Sequence, residues 1–418
     1  MERNTPMRTA NFTGNLKRRW QFAKHFFQET TKPNFWLDIN KYAKSMTKDF
    51  FEITLEEEMI QYQQRKPYER TLNRIDYRNG YYTRNMDTAF GPIEQIKVPR
   101  SRLGLFEPSM FNKYQRRQES VNQSIINCFL LGVSTRNVKD VLKPLLGVNI
   151  SAATVSNATK AVDKLVKGFH NRPLIDEYQF LFLDGINISV RYGNKSIKKT
   201  VLAAYGMTLF GQREIIAFRI VKSESKDACE SFLNDLYHRG LQGNNLKLII
   251  TDGGKGLIAA LAIVYPMVKH QRCWFHKLQN VTKLLKKKNQ PEVLKALRKI
   301  YNAQSKAIAL KRFKDFKNAW AKAYPNVIKS LDQDLEELLN FLTIPIKKEH
   351  RNFIRKRIRT TNVIERSFRE VRRRTKPMSC FNNNDSLQRI MYAVFYRLNI
   401  NWKAKPLSQF TQFIWRHL

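Results

Sequence analysis

The 418-residue sequence predicts a multidomain α/β protein. Its α/β core is interrupted by an all-helical insertion and preceded by a small-β and helical, helix-turn-helix-like region. Three observations carry this. At about 150 residues per domain the length suggests two to four domains, and 42% hydrophobic with 26% charged residues is a globular balance. Between residues 178 and 274, apolar runs too continuous for half-exposed strands alternate with helical periodicity, as in a sheet covered on both faces. From 277 to 357 leucines and aromatics recur at helical spacing with no strand signal.

Taken in order, residues 1–45 read as a basic arm with one short amphipathic helix through Trp20, Ala23 and Phe27. A helix with Leu55, Met59 and Tyr62 on one face follows, and Lys66-Pro67 ends it. Turn signals at Asn79-Gly80 and Gly91-Pro92, among short β-prone runs, predict a small sheet over 77–106. Its Arg84, Arg100 and Arg102 either touch phosphates or are merely solvated. Ser120 is placed to cap a helix through Val121, Ile125, Cys128 and Phe129. Ser134 or Thr135 is placed to cap the next helix, the chain turns near Leu146-Gly147, and Ser151 is placed to cap another. This is the outline of a helix-turn-helix, whose second helix would offer Thr154, Ser156, Asn157 and Lys160 to a major groove. An ordinary helical hairpin has the same outline.

The next stretch predicts the order β-β-β-α-β-α-β: YQFLFLDG, two strands joined through Gly211, a helix over 228–239, NLKLIITDGG, a helix over 256–264, and a short strand over 268–274. Helices follow to the end. The one carrying Ile364, Phe368 and Val371 ends at Lys376-Pro377, and the last spans 386–402. The chain thus divides into an arm (1–45), a helical and small-β region (46–118), a helix-turn-helix-like region (119–172), an α/β core (173–276 completed by 358–402), the insertion (277–357) and a tail (403–418).

Charge narrows the function. Lys and Arg total 75 against 35 Asp and Glu, a formal net charge of +40. A chain this basic repels itself unless a polyanion is near, which favours nucleic acid over the other physical option, an anionic membrane surface. No run of about 18 uncharged apolar residues exists, which excludes a spanning helix. Four widely spaced cysteines make no disulfide framework, and MERNTPMRTANF has no apolar core of a secretory signal, so a reducing cytoplasm is the expected setting.

Three carboxylates stand out. Asp184 and Asp252 are expected at strand exits, each followed by glycine, with no other acid near them in sequence. Each alone is an ordinary turn signal. Glu365 lies on a helix whose Ile364, Phe368 and Val371 form the packing stripe, inside a segment (347–376) with thirteen Lys and Arg against three acids. If the three converge, each like-charge pair costs roughly 4 kcal/mol at about 4 Å and an effective dielectric near 20. Hard oxygen ligands with open positions then select Mg²⁺ or Mn²⁺, and two such ions suit in-line phosphoryl transfer.

FLDG, IITDGGKG, QRCWFHKLQNV and RTTNVIERSFREVRRR, with YRNGYY, PRSRLGLFEP and GVSTRNV upstream, resemble the motifs of mutator-type bacterial insertion-sequence transposases over about residues 49–396. The resemblance implies a DDE enzyme with an RNase H-like catalytic domain. Asp184, Asp252 and Glu365 would bind two Mg²⁺ (or Mn²⁺) ions. The enzyme would bind the terminal inverted repeats of the element, cleave its 3′ ends and transfer them into target DNA, acting on double-stranded DNA as a homodimer or larger assembly in the bacterial cytoplasm, at the nucleoid when bound. Cys273 and His276 match the family's C-x-x-H signature. By spacing alone this invites zinc, but no second ligand pair stands nearby, so packing or positioning beside the active site is the favoured role. Arg366, Arg369, Arg372, Arg373 and Arg374 read as phosphate clamps, some necessarily only solvated. Trp320 either stacks on a base or packs with Phe313 and Phe316. The rivals are a non-catalytic DNA-binding regulator derived from a transposase and a simple metal-dependent endonuclease.

Overall fold

The computed structural model describes residues 35–69, 76–208, 210–346 and 348–407. The expected helix around Trp20 lies outside these residues. The described residues form two compact units: one gathers those up to Ile126 with Arg136–Ala152, the other Asn127–Thr135 with those from Ala153 onward.

In the first unit, α1 (Phe35–Gln63) packs Leu55 and Met59 onto a two-stranded antiparallel sheet, β1 (Arg78–Thr88) and β2 (Gly91–Ser101). Met86, Ile93, Ile96, Val98 and Phe111 complete this core. The hairpin turns through Ala89 and Phe90, just ahead of the expected Gly91-Pro92, which opens β2 with Gly91 at φ 107°. Asn79-Gly80 is not a turn: it lies within β1, where the register shifts between Arg78 and Tyr81, so the glycine makes a bulge. Arg84 serves the fold, bonding the Gln115 carbonyl with its guanidinium 4.2 Å over the Phe111 ring.

α2 (Glu119–Leu130) begins before Ser120, which therefore lies in the first turn rather than capping it. α3 (Val138–Leu146) has Asn137 at its N-cap, not Ser134 or Thr135, and ends at Gly147 with φ 62°. α4 (Ala152–Thr159) starts directly after Ser151. It stops before Lys160, and α5 (Val162–Asn171) follows separately. α3 and nearly all of α4 fall in different compact units.

The second unit is built on a five-stranded sheet in the order β5-β4-β3-β6-β7. β3 (Tyr178–Tyr192), β4 (Lys195–Thr208) and β5 (Arg213–Val221) run antiparallel; after α6 (Lys226–His238), β6 (Leu248–Thr251) adds parallel to β3. α7 (Lys255–Val264) then leads to β7 (His270–Arg272), parallel to β6. This is the expected strand and helix order. Alternation along each strand divides the core between two faces. Leu181, Leu183, Leu202 and Ala204 join Phe232, Leu236, Ala260 and Leu261 of α6 and α7. On the other face Phe218 meets Phe169 of α5 and Phe395 of the last helix.

The helical insertion begins with α8 (Trp274–Lys283) and continues through α9 (Gln290–Tyr301), α10 (Lys306–Trp320) and α11 (Pro325–Leu339) to α12 (Lys348–Ile358). Phe313 and Phe316 of α10 are buried, and Trp320 tilts against Tyr324, so this aromatic stripe is core. α11 docks on β7. Trp274 Nε1 and Gln271 Nε2 both donate to the Leu338 carbonyl, at 2.6 and 3.0 Å. Asp334 is gripped by Arg272 at 3.1 Å and by the buried Lys277 ammonium at 2.5 Å. His270 and Arg272 beside Glu337 hold its carboxyl down at about 2. The chain then re-enters the core as α13 (Asn362–Thr375) and α14 (Asn384–Lys403). Arg389 of α14 clamps Asp163 of α5 at 2.6 and 2.7 Å.

Asp334→Ala leaves the buried Lys277 ammonium without a counter-charge, held only by the Ser330 carbonyl and hydroxyl. It is expected to lower stability by about 3 kcal/mol, read from urea unfolding, whereas a loss below about 1 kcal/mol would show that the dock is held by its apolar contacts alone.

Candidate active site

Asp184 does not sit at a strand exit. β3 continues to Tyr192 against β4, pairing Asp184 with Ala203. What ends nearby is the parallel ladder to β6, whose last pair is Phe182 with Ile250. Asp184 therefore projects just past the end of β6, from which Asp252 follows directly. Backbone amides fix both carboxylates: Asp184 Oδ1 accepts from Gly185 N at 2.8 Å and Asp252 Oδ1 from Gly254 N at 3.0 Å.

Burial, then the charge of Asp252, push Asp184 up to about 7; Glu365 adds to this, while the Gly185 amide and His276 oppose it. Both causes disfavour its ionised form in the absence of a cation.

Glu365 arrives on α13, whose Ile364, Phe368 and Val371 are buried as expected. The helix is fixed at its start by the C-x-x-H segment. The Cys273 sulfur, fully buried, accepts from Thr361 N at 3.3 Å and lies 3.4 Å from Thr361 Oγ1. Trp274 N donates to the Arg359 carbonyl at 3.0 Å. His276 places Nε2 3.3 Å from Glu365 Oε1 and Nδ1 3.5 Å from Thr361 Oγ1. Contact with the Cys273 sulfur and the charges of Asp184 and Glu365 hold His276 up at about 9, against burial. An imidazolium in this place partly balances the acids. At its far end α13 is held by the segment beyond it, where Phe381 N donates to the Ser189 carbonyl of β3 at 3.1 Å.

Two residues escaped the sequence reading. Thr361 is the contact through which Cys273 reaches α13. Glu224, between β5 and α6 and remote from both aspartates in sequence, is a fourth acid that the fold brings near Asp252. A Cβ on Gly185 would overlap Glu224 Oε1, and Glu224 Oε2 faces Gly254 on the side of Asp252 Oδ1. Burial and the charge of Asp252 raise the Glu224 carboxyl. The readable signal was an acid just past a third buried strand, ahead of the capping Ser225.

Among the described residues no three His, Cys, Asp or Glu side chains already stand close enough to hold a metal ion. The donor chemistry nonetheless fits a hard divalent cation. Carboxylate oxygens outnumber local cations, and Asp184 is destabilised as an anion by burial and by Asp252.

Comparison with known proteins decides the family. The model for "Transposase, Mutator family" matches residues 22–405. The chain belongs to the Mutator family of transposases. It is 31% identical over 376 residues to the transposase for insertion sequence element IS905 of Lactococcus lactis, spanning 90% of this chain and 93% of that one. It is 35% identical over 367 residues to the transposase for IS256 in transposon Tn4001 of Staphylococcus aureus, 86% and 90% of the two chains. With the transposase for ISRM5 of Rhizobium meliloti it shares 32% identity over 334 residues, 80% and 82%.

The remaining candidates of this Mutator-family chain are placed as follows. Ser156 and Asn157 are exposed on α4 with Thr154 half-buried beside them, and Lys160 is exposed just past its end. Arg366, Arg369, Arg372 and Arg373 are exposed along α13, whereas Arg374 folds back at 2.8 Å onto Glu370, which also binds Arg373. No helix among the described residues is long and apolar enough to cross a membrane.

Cys273→Val leaves the Thr361 amide buried without an acceptor and is expected to cost about 1–3 kcal/mol. Cys273→Ser, which keeps an acceptor, should lose less. Urea unfolding of the pair checks this, and equal losses would contradict it.

Proposed function

We propose that this transposase binds the terminal inverted repeats of an insertion sequence, cleaves their 3′ ends and joins them to target DNA by a metal-dependent DDE mechanism. One observation carries the reading: Asp184 is placed by β3 within the field of Asp252 and of Glu365, which comes from a helix 113 residues further on in sequence than Asp252. A sheet of three antiparallel strands extended by two parallel ones, with helices on both faces, supports an RNase H-like core.

In this reading Asp184, Asp252 and Glu365 hold two Mg²⁺ or Mn²⁺ ions. When bound, the ions supply charge stabilisation to the attacking and leaving oxygens of an in-line displacement at phosphorus. The chain's own contributions are positional. The Gly185 and Gly254 amides fix one oxygen of each aspartate, leaving the other for the cation. Thr361 and His276 orient Glu365, and His276 keeps a proton on Nε2 toward Glu365 Oε1 while the site is empty of cations. Glu224, whose carboxyl feels the charge of Asp252, would help to orient that aspartate toward its cation. The exposed arginines of α13 hold the DNA backbone beside Glu365, and the exposed face of α4 contributes to recognition of the ends. Bringing two ends together calls for at least a dimer.

Glu365→Gln is the test. With labelled ends of the element that carries the gene, the variant is expected to keep end binding in a mobility-shift assay and to lose Mg²⁺-dependent nicking and joining by several orders of magnitude. Near-normal strand transfer by this variant would overturn the assignment.

A further inference from the structure

The second unit contains a cavity of about 920 Å³ between α12, α13, α14 and the adjoining ends of β4 and β5. Seven cations line it: Arg213 from β5, Lys356 and Arg357 from α12, Arg359 ahead of α13, and Arg366, Arg369 and Arg373 along α13. Glu370 is the one acid among the lining residues, and Arg373 and Arg374 already occupy it at 2.7 and 2.8 Å. No carboxylate among the described residues pairs with Arg213, Arg357, Arg366 or Arg369. Burial and the neighbouring Arg213 and Arg366 hold the Arg357 guanidinium below its ordinary range. Cations brought together without counter-charge need an anion to relieve them.

The walls say which anion. Phe353 and Trp402 stand beneath guanidinium groups, Arg357 at 3.3 Å and Arg213 at 5.4 Å from the ring centroids. Met207, Leu398 and Leu407 add apolar surface. A double-helix backbone needs only the cations, because its bases face their partner strand. Guanidinium planes laid on flat rings, with aliphatic surface beside them, suit unstacked bases, which stack on such arginine and aromatic planes whatever their sequence while their phosphates meet the other cations. The volume is that of a site for one or a few small units, roughly 300–1,000 Å³, and not that of a duplex.

We propose that this cavity seats unpaired nucleotides of a DNA strand next to the phosphodiester being cut or joined. The proposal rests on the reading of Glu365 as an active-site residue, because Arg366, Arg369 and Arg373 extend along the helix that carries it. A strand seated here is held by the same rigid element that presents the carboxylate. It also implies that the duplex is opened locally beside the reacting phosphate.

The test uses the full chain in EDTA, which removes metal-dependent chemistry from the readout. A short fluorescein-labelled oligothymidylate is titrated by anisotropy and competed with a hairpin duplex of equal phosphate content. Arg366→Ala combined with Arg369→Ala is expected to weaken oligothymidylate binding at least about tenfold and to lower the slope of log K against log salt by roughly 1.4, about 0.7 per lost contact. Trp402→Ala is expected to weaken it about tenfold and Trp402→Phe much less. Should Trp402→Ala fail to fold, 4-thiothymidine photocrosslinking of the unaltered chain is expected to mark peptides containing Phe353 or Trp402. Binding within twofold of normal in the double arginine variant, crosslinks confined to other peptides, or stronger competition by the hairpin would each overturn the proposal. Glu365 does not line the cavity and the binding readout in EDTA needs no metal, whereas the nicking assay of Glu365→Gln leaves the cavity residues intact, so a failure of the active-site assignment and a failure of this cavity's role are read separately.

Discussion

The bond between the Thr361 backbone and the buried Cys273 sulfur joins residues 88 apart in sequence. Everything between them is the helical insertion, and the clasp forces the chain to return beside the point from which it left. Glu365 lies one helical turn beyond Thr361, so its position is inherited from that return. The second strut, Trp274 N on the Arg359 carbonyl, and the dock of α11 on β7 through Arg272, Lys277 and Asp334 stop the insertion from levering the clasp open. Without these contacts the sheet would present two aspartates and no glutamate. The C-x-x-H segment is therefore structural hardware for the carboxylate site: Cys273 holds the helix start and His276 holds the glutamate.

Electrostatics gives the site its character. In a chain of net charge +40, the few acids near Asp184 are set where the basic helix α13 cannot simply neutralise them. Its arginines lie along exposed faces or pair with Glu370, while half-buried Asp184 has its carboxyl raised by that burial and by the charge of Asp252. Glu224 reaches the same region from the α6 and α7 face through the space that Gly185 leaves open. The result is a cation-poor centre on the rim of a cation-rich surface, an arrangement suited to binding divalent cations and polyanionic DNA side by side.

Much of this was legible in the sequence because it depends on local pattern. Buried strands, their order, the helical insertion and the packing stripe of α13 follow from apolar periodicity, and the ordered motifs indicated the family. What failed were features fixed by distant partners. Asp184 looked like a strand exit because FLDG ends an apolar run, yet β4 carries the pairing eight residues further. Asn79-Gly80 has the composition of a turn, but cross-strand pairing absorbs it as a bulge. Ser120, Ser134 and Thr135 are good capping residues one to four positions from where the helices begin. Lys160 looked continuous with α4 because nothing in its neighbours marks a break. Glu224 and Thr361 have no motif of their own and acquire their roles only when the chain brings Gly185, Asp252 and Cys273 to them.

The central claim is that three segments remote in sequence meet around a divalent cation, and iron-directed hydroxyl-radical cleavage of the polypeptide tests it most directly. With Fe²⁺ and a reductant, the chain should be cut near Asp184, near Asp252 and near Glu365, and excess Mg²⁺ should suppress all three cuts together. Cuts beside the aspartates without any in α13, or no cuts that Mg²⁺ suppresses, would contradict it.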